Sequence, residues 1–82
     1  MRPSQERIQH FITLAIAREG QLEPADISVK QSFFELGLDS ISAIFLLDLV
    51  EKEFSVELQP LDFWDYPTIE SFSQYIHQSK LP

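Results

Sequence analysis

Between Ile41 and Phe54 the chain carries neither glycine nor proline, and its apolar residues recur at helical spacing. Ala43, Leu46, Val50 and Phe54 fall at i, i+3, i+7 and i+11, one stripe of a helix, and Leu47 and Leu49 widen it. Ile41, Ile44, Phe45 and Asp48 lie mostly on another face. A helix apolar on more than one side is either wholly buried or presents a binding patch. With 82 residues in all, complete burial of such a helix is hard to arrange.

The rest of the chain fits around that helix. From Ser4, a candidate N-cap, Ile8, Phe11, Ile12, Ala15 and Ile16 define a first amphipathic helix, which Gly20 stops. Residues 21–39 hold Leu22, Ile27, Val29, Phe33, Phe34 and Leu36 without sustained periodicity, and read as a long loop pinned to the core by those side chains. Loops of that length in a small domain are uncommon and usually functional. After Pro60, Leu61 to Trp64 is long enough for one helical turn. Beyond Pro67, Thr68 caps a last helix with Ile69, Phe72 and Ile76 as its stripe. The expected fold is all-α: a four-helix bundle of three main helices and one short one, with the long loop between the first and second. The expected domain is a single one, residues 1–82.

No cysteine is present, so neither disulfides nor thiolate zinc can hold this fold together, and any thiol chemistry must come from an attached group. The hydrophobic fraction of 44%, with seven Phe, makes a self-sufficient core plausible. No apolar run reaches membrane-spanning length and the N-terminus lacks a signal-peptide stretch, so the chain reads as soluble and cytoplasmic; without a multidomain linker it reads as free-standing, the alternative being a domain cut from a larger protein. Residues 1–34 balance Arg2, Arg7, Arg18 and Lys30 against four acids, whereas residues 35–82 set nine acids against Lys52 and Lys80. The whole net charge of −7 therefore lies in the second part. Such a field disfavours nucleic acid and anionic membranes and favours basic protein surfaces.

The chemistry-bearing stretch is Phe34-Glu35-Leu36-Gly37-Leu38-Asp39-Ser40-Ile41. It joins an aromatic expected to be buried, a glycine free to take φ > 0, and a serine at a helix start. Free N–H groups and the positive end of the helix dipole favour a phosphate there. Asp39 is placed to cap or steer the same helix start. Taken alone, Ser40 would be read as a second capping residue. As a nucleophile it lacks a base: His10 and His77 sit in no catalytic motif, and there is no Gly-x-Ser-x-Gly elbow. Asp48, Glu51 and the other acids show no metal-ligand pattern and read as solvated faces. No catalytic or metal-binding residue is expected.

Phe34, Leu36, Gly37, Asp39, Ser40 and Ile41 together resemble the attachment signature of acyl and peptidyl carrier proteins. The resemblance continues through Leu46, Val50, Glu51 and Phe54 and closes on Tyr66-Pro67-Thr68-Ile69; it spans roughly residues 5–78, with the three blocks at the family's spacing. It implies that Ser40 bears a 4′-phosphopantetheine arm, donated by coenzyme A through a phosphopantetheinyl transferase, within a motif of Gly37, Asp39 and Ile41. Acyl or aminoacyl groups would ride on the arm's thiol as thioesters, and the chain, a monomer, would serve loading and synthase enzymes without catalysing a step itself. The same resemblance makes the serine's helix the partner-recognition surface, here Ile41, Ile44, Phe45, Asp48 and Glu51. Phe45 and Lys52 depart from fatty-synthase carriers, and the Trp64 to Ile69 passage looks more like polyketide and nonribosomal-peptide carriers. Phe45 is either an exposed contact or a core aromatic turned inward, and of Phe63 and Trp64 one should be buried and the other partly exposed. The competing class is a carrier-like interaction module that binds through Ile44 and Phe45 and is never modified.

Overall fold

Ser4 accepts a hydrogen bond from the Arg7 N–H and starts α1 (Gln5–Gly20), whose Ile8, Ile12 and Ile16 are buried at helical spacing. In this computed structural model, which describes residues 2–81, the remaining elements are a 3-10 turn (Pro24–Asp26), α2 (Ser40–Phe54), α3 (Asp62–Asp65) and α4 (Ile69–Tyr75). A π-helical turn, Ile76–Lys80, prolongs α4. Met1 and Pro82, the outer ends of the expected domain, lie outside the described residues. The fold is the expected all-α arrangement of three longer helices and one short one, with no strand among the described residues.

α1 packs on α4 and on α2, and the buried apolar side chains form one cluster. Ile69, Phe72 and Ile76, the expected stripe of the last helix, are fully buried in it. Thr68 caps α4 in a reciprocal box: its hydroxyl accepts from the Ser71 N–H at 3.0 Å, and Ser71 Oγ accepts from the Thr68 N–H at 3.1 Å. Groups of aromatic rings brace the core, among them a stacked Tyr66–Tyr75 pair with centroids 4.1 Å apart. Phe33, Phe63 and Phe72 form a three-ring cluster with centroids 4.8 to 5.5 Å apart, and Phe11 meets Phe54 edge-on at 5.4 Å.

The long connection between α1 and α2 is held more firmly than its sequence indicates. Ser32 and Thr68 form an antiparallel bridge, the Phe33 N–H donates to the Pro67 carbonyl at 2.8 Å, and the Glu70 N–H donates to the Val29 carbonyl at 3.0 Å. These bonds tie the loop to the start of α4 and satisfy backbone groups that a buried loop would otherwise leave unpaired. The expected side-chain anchors divide. Phe33 is buried and Ile27, Val29 and Leu36 pack partly against the core, but Leu22 and Phe34 are exposed. Phe34, expected as the buried aromatic of the motif, is 86% exposed while Phe33 is 5% exposed. The adjacent ring took the inward position because only one of two neighbouring residues can face the core at that turn.

Two helix-end details also differ from expectation. α1 does end at Gly20, yet the left-handed residue that closes it is Gln21, at φ 54°. α2 closes in the same way on Ser55, at φ 55°. The short helix begins at Asp62 rather than Leu61. Along α2, Leu46, Leu47, Val50 and Phe54 are buried, whereas Ala43 and Leu49 are half-buried flanks.

Candidate functional site

The approach to α2 is a tight turn built from backbone hydrogen bonds. The N–H groups of Leu36, Gly37 and Leu38 donate to the carbonyls of Ser32, Phe34 and Phe33, at 3.0 to 3.1 Å. Ser32 Oγ accepts from the Glu35 N–H, and Glu35 returns a carboxylate oxygen to the Ser32 N–H. Gly37 sits at φ 91°, a conformation that side-chain-bearing residues rarely adopt, although open space surrounds the position of a Cβ. Its requirement is therefore conformational and not steric.

Asp39 is the N-cap of α2. Its Oδ1 accepts from the Ser42 N–H at 2.8 Å, and its carbonyl accepts the helix's first bond from the Ala43 N–H at 2.9 Å. The Ser42 backbone N–H, and then the Ser42 hydroxyl, hold the Asp39 carboxyl below the usual carboxylate range. Ser40 follows as the first residue of the helix, exposed, and its hydroxyl makes no hydrogen bond among the described residues. Asp39 has taken the capping role, so Ser40 is not the second cap its position alone would suggest. The N–H groups of Ser40 and Ile41 lie in the first turn, where the helix offers them no acceptor. An exposed hydroxyl at the positive end of a 15-residue helix, beside N–H groups that have no intrahelical acceptor, fits a covalently held phosphate.

Outward from this point, α2 presents Ile41, Ile44 and Phe45, which are 81%, 57% and 52% exposed. Phe45 thus belongs to the surface and not to the core. Asp48 shares this exposure and pairs with Lys52 at 3.0 Å, which partly neutralises it. Glu51, the remaining residue of the expected recognition set, is less exposed than these. It is half-buried, and its carboxylate accepts from the Leu58 N–H at 3.0 Å, pinning the connection after α2. Asp62, expected on a solvated face, is likewise buried and accepts from the Gln59 N–H at 2.9 Å. In α3, Phe63 packs against the core and Trp64 is 81% exposed.

A cavity of about 170 Å³ lies beside the site, between the last turns of α1, the turn Leu36 to Leu38, and the α2 face from Ser42 to Leu49. Sequence spacing carried no sign of it, because it arises where three segments fail to fill the space between them. His10 is exposed on α1 and His77 lies in the π-helical turn, its carbonyl accepting from Arg2, and neither is hydrogen-bonded to Ser40 among the described residues. Among the described residues there is no cluster of metal-ligating side chains and no helix long and apolar enough to cross a membrane.

Comparison with known proteins agrees with this geometry. Residues 10–76 match the family described as the phosphopantetheine attachment site. A free-standing peptidyl carrier protein from an Acinetobacter baumannii secondary metabolic pathway is 34% identical. It superposes with a TM-score of 0.83 over 89% of this chain and 91% of that one. An acyl carrier protein from Anabaena sp. PCC 7120 with a variant phosphopantetheinylation-site sequence is 32% identical. Its TM-score is 0.89, covering 99% of this chain and 93% of that one. Polyketide synthase PksL of Bacillus subtilis is 25% identical over 71 residues, 87% of this chain and 2% of the synthase. The chain spans 1 to 4% of the length of the curated relatives it matches. With a match that covers both the start of α2 and the bundle that supports it, the chain belongs to the phosphopantetheine attachment family of non-catalytic acyl and peptidyl carrier proteins.

Proposed function

We propose that Ser40 is the residue that carries the 4′-phosphopantetheine arm, with Gly37, Asp39 and Ile41 shaping the segment a phosphopantetheinyl transferase reads. One observation carries this reading: the Ser40 hydroxyl is exposed and uncommitted at the start of α2, directly after the aspartate that caps it. Attached there, the arm supplies a thiol on which acyl or aminoacyl groups are held as thioesters. Ser40 provides the anchoring oxygen, and the first turn of α2 provides N–H groups and dipole for the phosphodiester. Anchoring raises the effective concentration of the cargo at each enzyme that docks.

The partners in this reading are the transferase and the loading and synthase enzymes of polyketide or nonribosomal-peptide assembly. They dock on Ile41, Ile44 and Phe45, with Asp48 at the rim, and the acidic second part of the chain favours basic partner surfaces. The domain, residues 1–82, works as a monomer in the cytoplasm, where coenzyme A is at hand.

The test is intact-protein mass spectrometry after incubation with coenzyme A, Mg²⁺ and a broad-specificity transferase. The wild type gains one phosphopantetheine and Ser40→Ala gains none. Because the Ser40 hydroxyl holds nothing in place, Ser40→Ala should leave stability within about 0.5 kcal/mol of wild type. Loading of the alanine variant would move the anchor elsewhere. A folded wild type that no transferase loads would make the chain an unmodified interaction module, docking through Ile44 and Phe45.

A further inference from the structure

The chain's excess negative charge and its exposed apolar stripe do not coincide. At about 100° per residue, Ile41, Phe45, Asp48 and Lys52 fall within about 60° of one another around α2, with Ile44 at the edge of the same strip. All of them are exposed. Lys52 therefore stands inside the stripe, one turn beyond Asp48, and its Nζ lies 3.0 Å from the Asp48 carboxylate. The other two acids of α2 are engaged elsewhere. Glu51 accepts from the Leu58 N–H, and Glu53 pairs with Arg7 of α1 at 3.4 Å. At the Ser40 end, Asp39 turns an oxygen onto the Ser42 N–H at 2.8 Å. Glu57, Asp65 and Glu70 are exposed and belong to neither ion pair among the described residues, but they follow α2 in the chain and are not on the stripe.

Such a face discriminates between enzyme surfaces. The Asp48–Lys52 pair is exposed and adds little stability, yet its local charge sums to zero whether or not the contact is made. A cleft lined by arginine and lysine meets Lys52 as a like charge and finds Asp48 already answered, so its cations give up water without gaining a free partner. A cleft lined by apolar side chains takes up Ile41, Ile44 and Phe45 and leaves the ion pair wet at the rim, about 18 Å along the axis from Ser40. We propose that Lys52 is a specificity-determining residue toward the transferase that modifies this chain: by neutralising Asp48 it fits α2 to an apolar cleft and turns away a basic one. The proposal rests on Ser40 being the anchor. The acids beyond α2 attract basic surfaces from a distance, and the stripe decides which of them stay docked.

Two phosphopantetheinyl transferases are compared on the same chain, one with a carrier-binding cleft lined by arginine and lysine and one with an apolar cleft. Each is given coenzyme A and Mg²⁺, and loading of Ser40 is followed by intact mass. Lys52→Glu, at an exposed position, should move the ratio of the two kcat/KM values about three- to tenfold toward the basic-cleft enzyme, the scale of two exposed charge contacts. Lys52→Gln should move it the same way by a smaller factor. From low to physiological salt, the basic-cleft rate should fall more steeply on Lys52→Glu than on wild type, a change that a merely structural effect would not produce. Phe45→Ala should lower kcat/KM with the apolar-cleft enzyme by more than about fivefold, the loss of an aromatic anchor. A ratio that Lys52→Glu leaves unmoved, on protein loaded at Ser40, would overturn Lys52 as the determinant. Undiminished loading of Phe45→Ala by the apolar-cleft enzyme would overturn the apolar contact. Loading by neither enzyme, or loading of Ser40→Ala, would overturn the anchor on which the proposal rests, and the mass alone tells that case apart.

Discussion

At the scale of single residues, the start of α2 divides its tasks between neighbours. Asp39 holds the helix end and leaves Ser40 free, so the charge that stabilises the fold is one residue away from the hydroxyl proposed to carry the arm. Because hydrogen bonds from Ser42 lower the Asp39 pKa, the cap contributes stability above the ordinary carboxylate range. That contribution is lost as pH falls through the lowered, folded-state value. Asp39→Asn keeps a cap acceptor and removes the titration. Urea midpoints followed from about pH 7 down to about pH 3 should therefore fall less steeply in the variant than in the wild type. An unchanged acid limb would place the acid sensitivity on other carboxylates. In the core, Ser73 is fully buried on α4 and its hydroxyl finds no partner. Ser73→Ala should raise stability by about 1 kcal/mol, read as a higher melting temperature. A loss of similar size would mean that the hydroxyl bonds a carbonyl of its own helix in solution. Gly37 takes the positive φ and Asp39 the cap that the sequence indicates, but the buried aromatic is not Phe34. Phe33 and Phe34 are chemically identical and adjacent, and only packing against Phe63 and Phe72 decides which one turns inward.

Among the elements, α2 serves two masters, and its helical period shows why its sequence is apolar nearly all round. Leu46, Leu47, Val50 and Phe54 face the core while Ile41, Ile44 and Phe45 face solvent. The spacing separated these faces correctly, because 3.6 residues per turn is a property of the backbone alone. It failed for Glu51, since a carboxylate at a helix surface reads as solvated until the following segment folds over it. Glu51→Ala should lower stability by about 1.5 to 3 kcal/mol, the worth of a hydrogen bond to a charged group, through the Leu58 N–H left without its acceptor. Chemical denaturation measures this directly. A variant as stable as wild type that only weakened enzyme docking would restore Glu51 to the recognition surface. The loop from residue 21 to 39 shows the same limit. Its bridge to Thr68 and its bonds from Phe33 to Pro67 and from Glu70 to Val29 join segments far apart in sequence, and no local pattern announces them.

For the molecule as a whole, stability rests on one apolar cluster, with no cysteine to staple it. A chain of this length typically has about 4 to 12 kcal/mol of net stability. Phe72 is fully buried and touches both other rings of the aromatic cluster, so Phe72→Ala should cost about 3 to 5 kcal/mol and leave the bundle near its unfolding threshold. A cooperative melt at nearly the wild-type temperature would show that the cluster is not what joins the loop, α3 and α4. The sequence determined the helices, their caps at Ser4, Asp39 and Thr68, and the acidic second part of the chain. Each of these follows from backbone periodicity, from hydrogen bonds spanning a few residues, or from a count of charges. Tertiary structure alone decided that Phe33 and not Phe34 is buried, that Glu51 and Asp62 act as internal acceptors, and that a cavity opens between the end of α1 and the start of α2. Those outcomes depend on which distant segment occupies the neighbouring space, and short-range spacing carries no information about that.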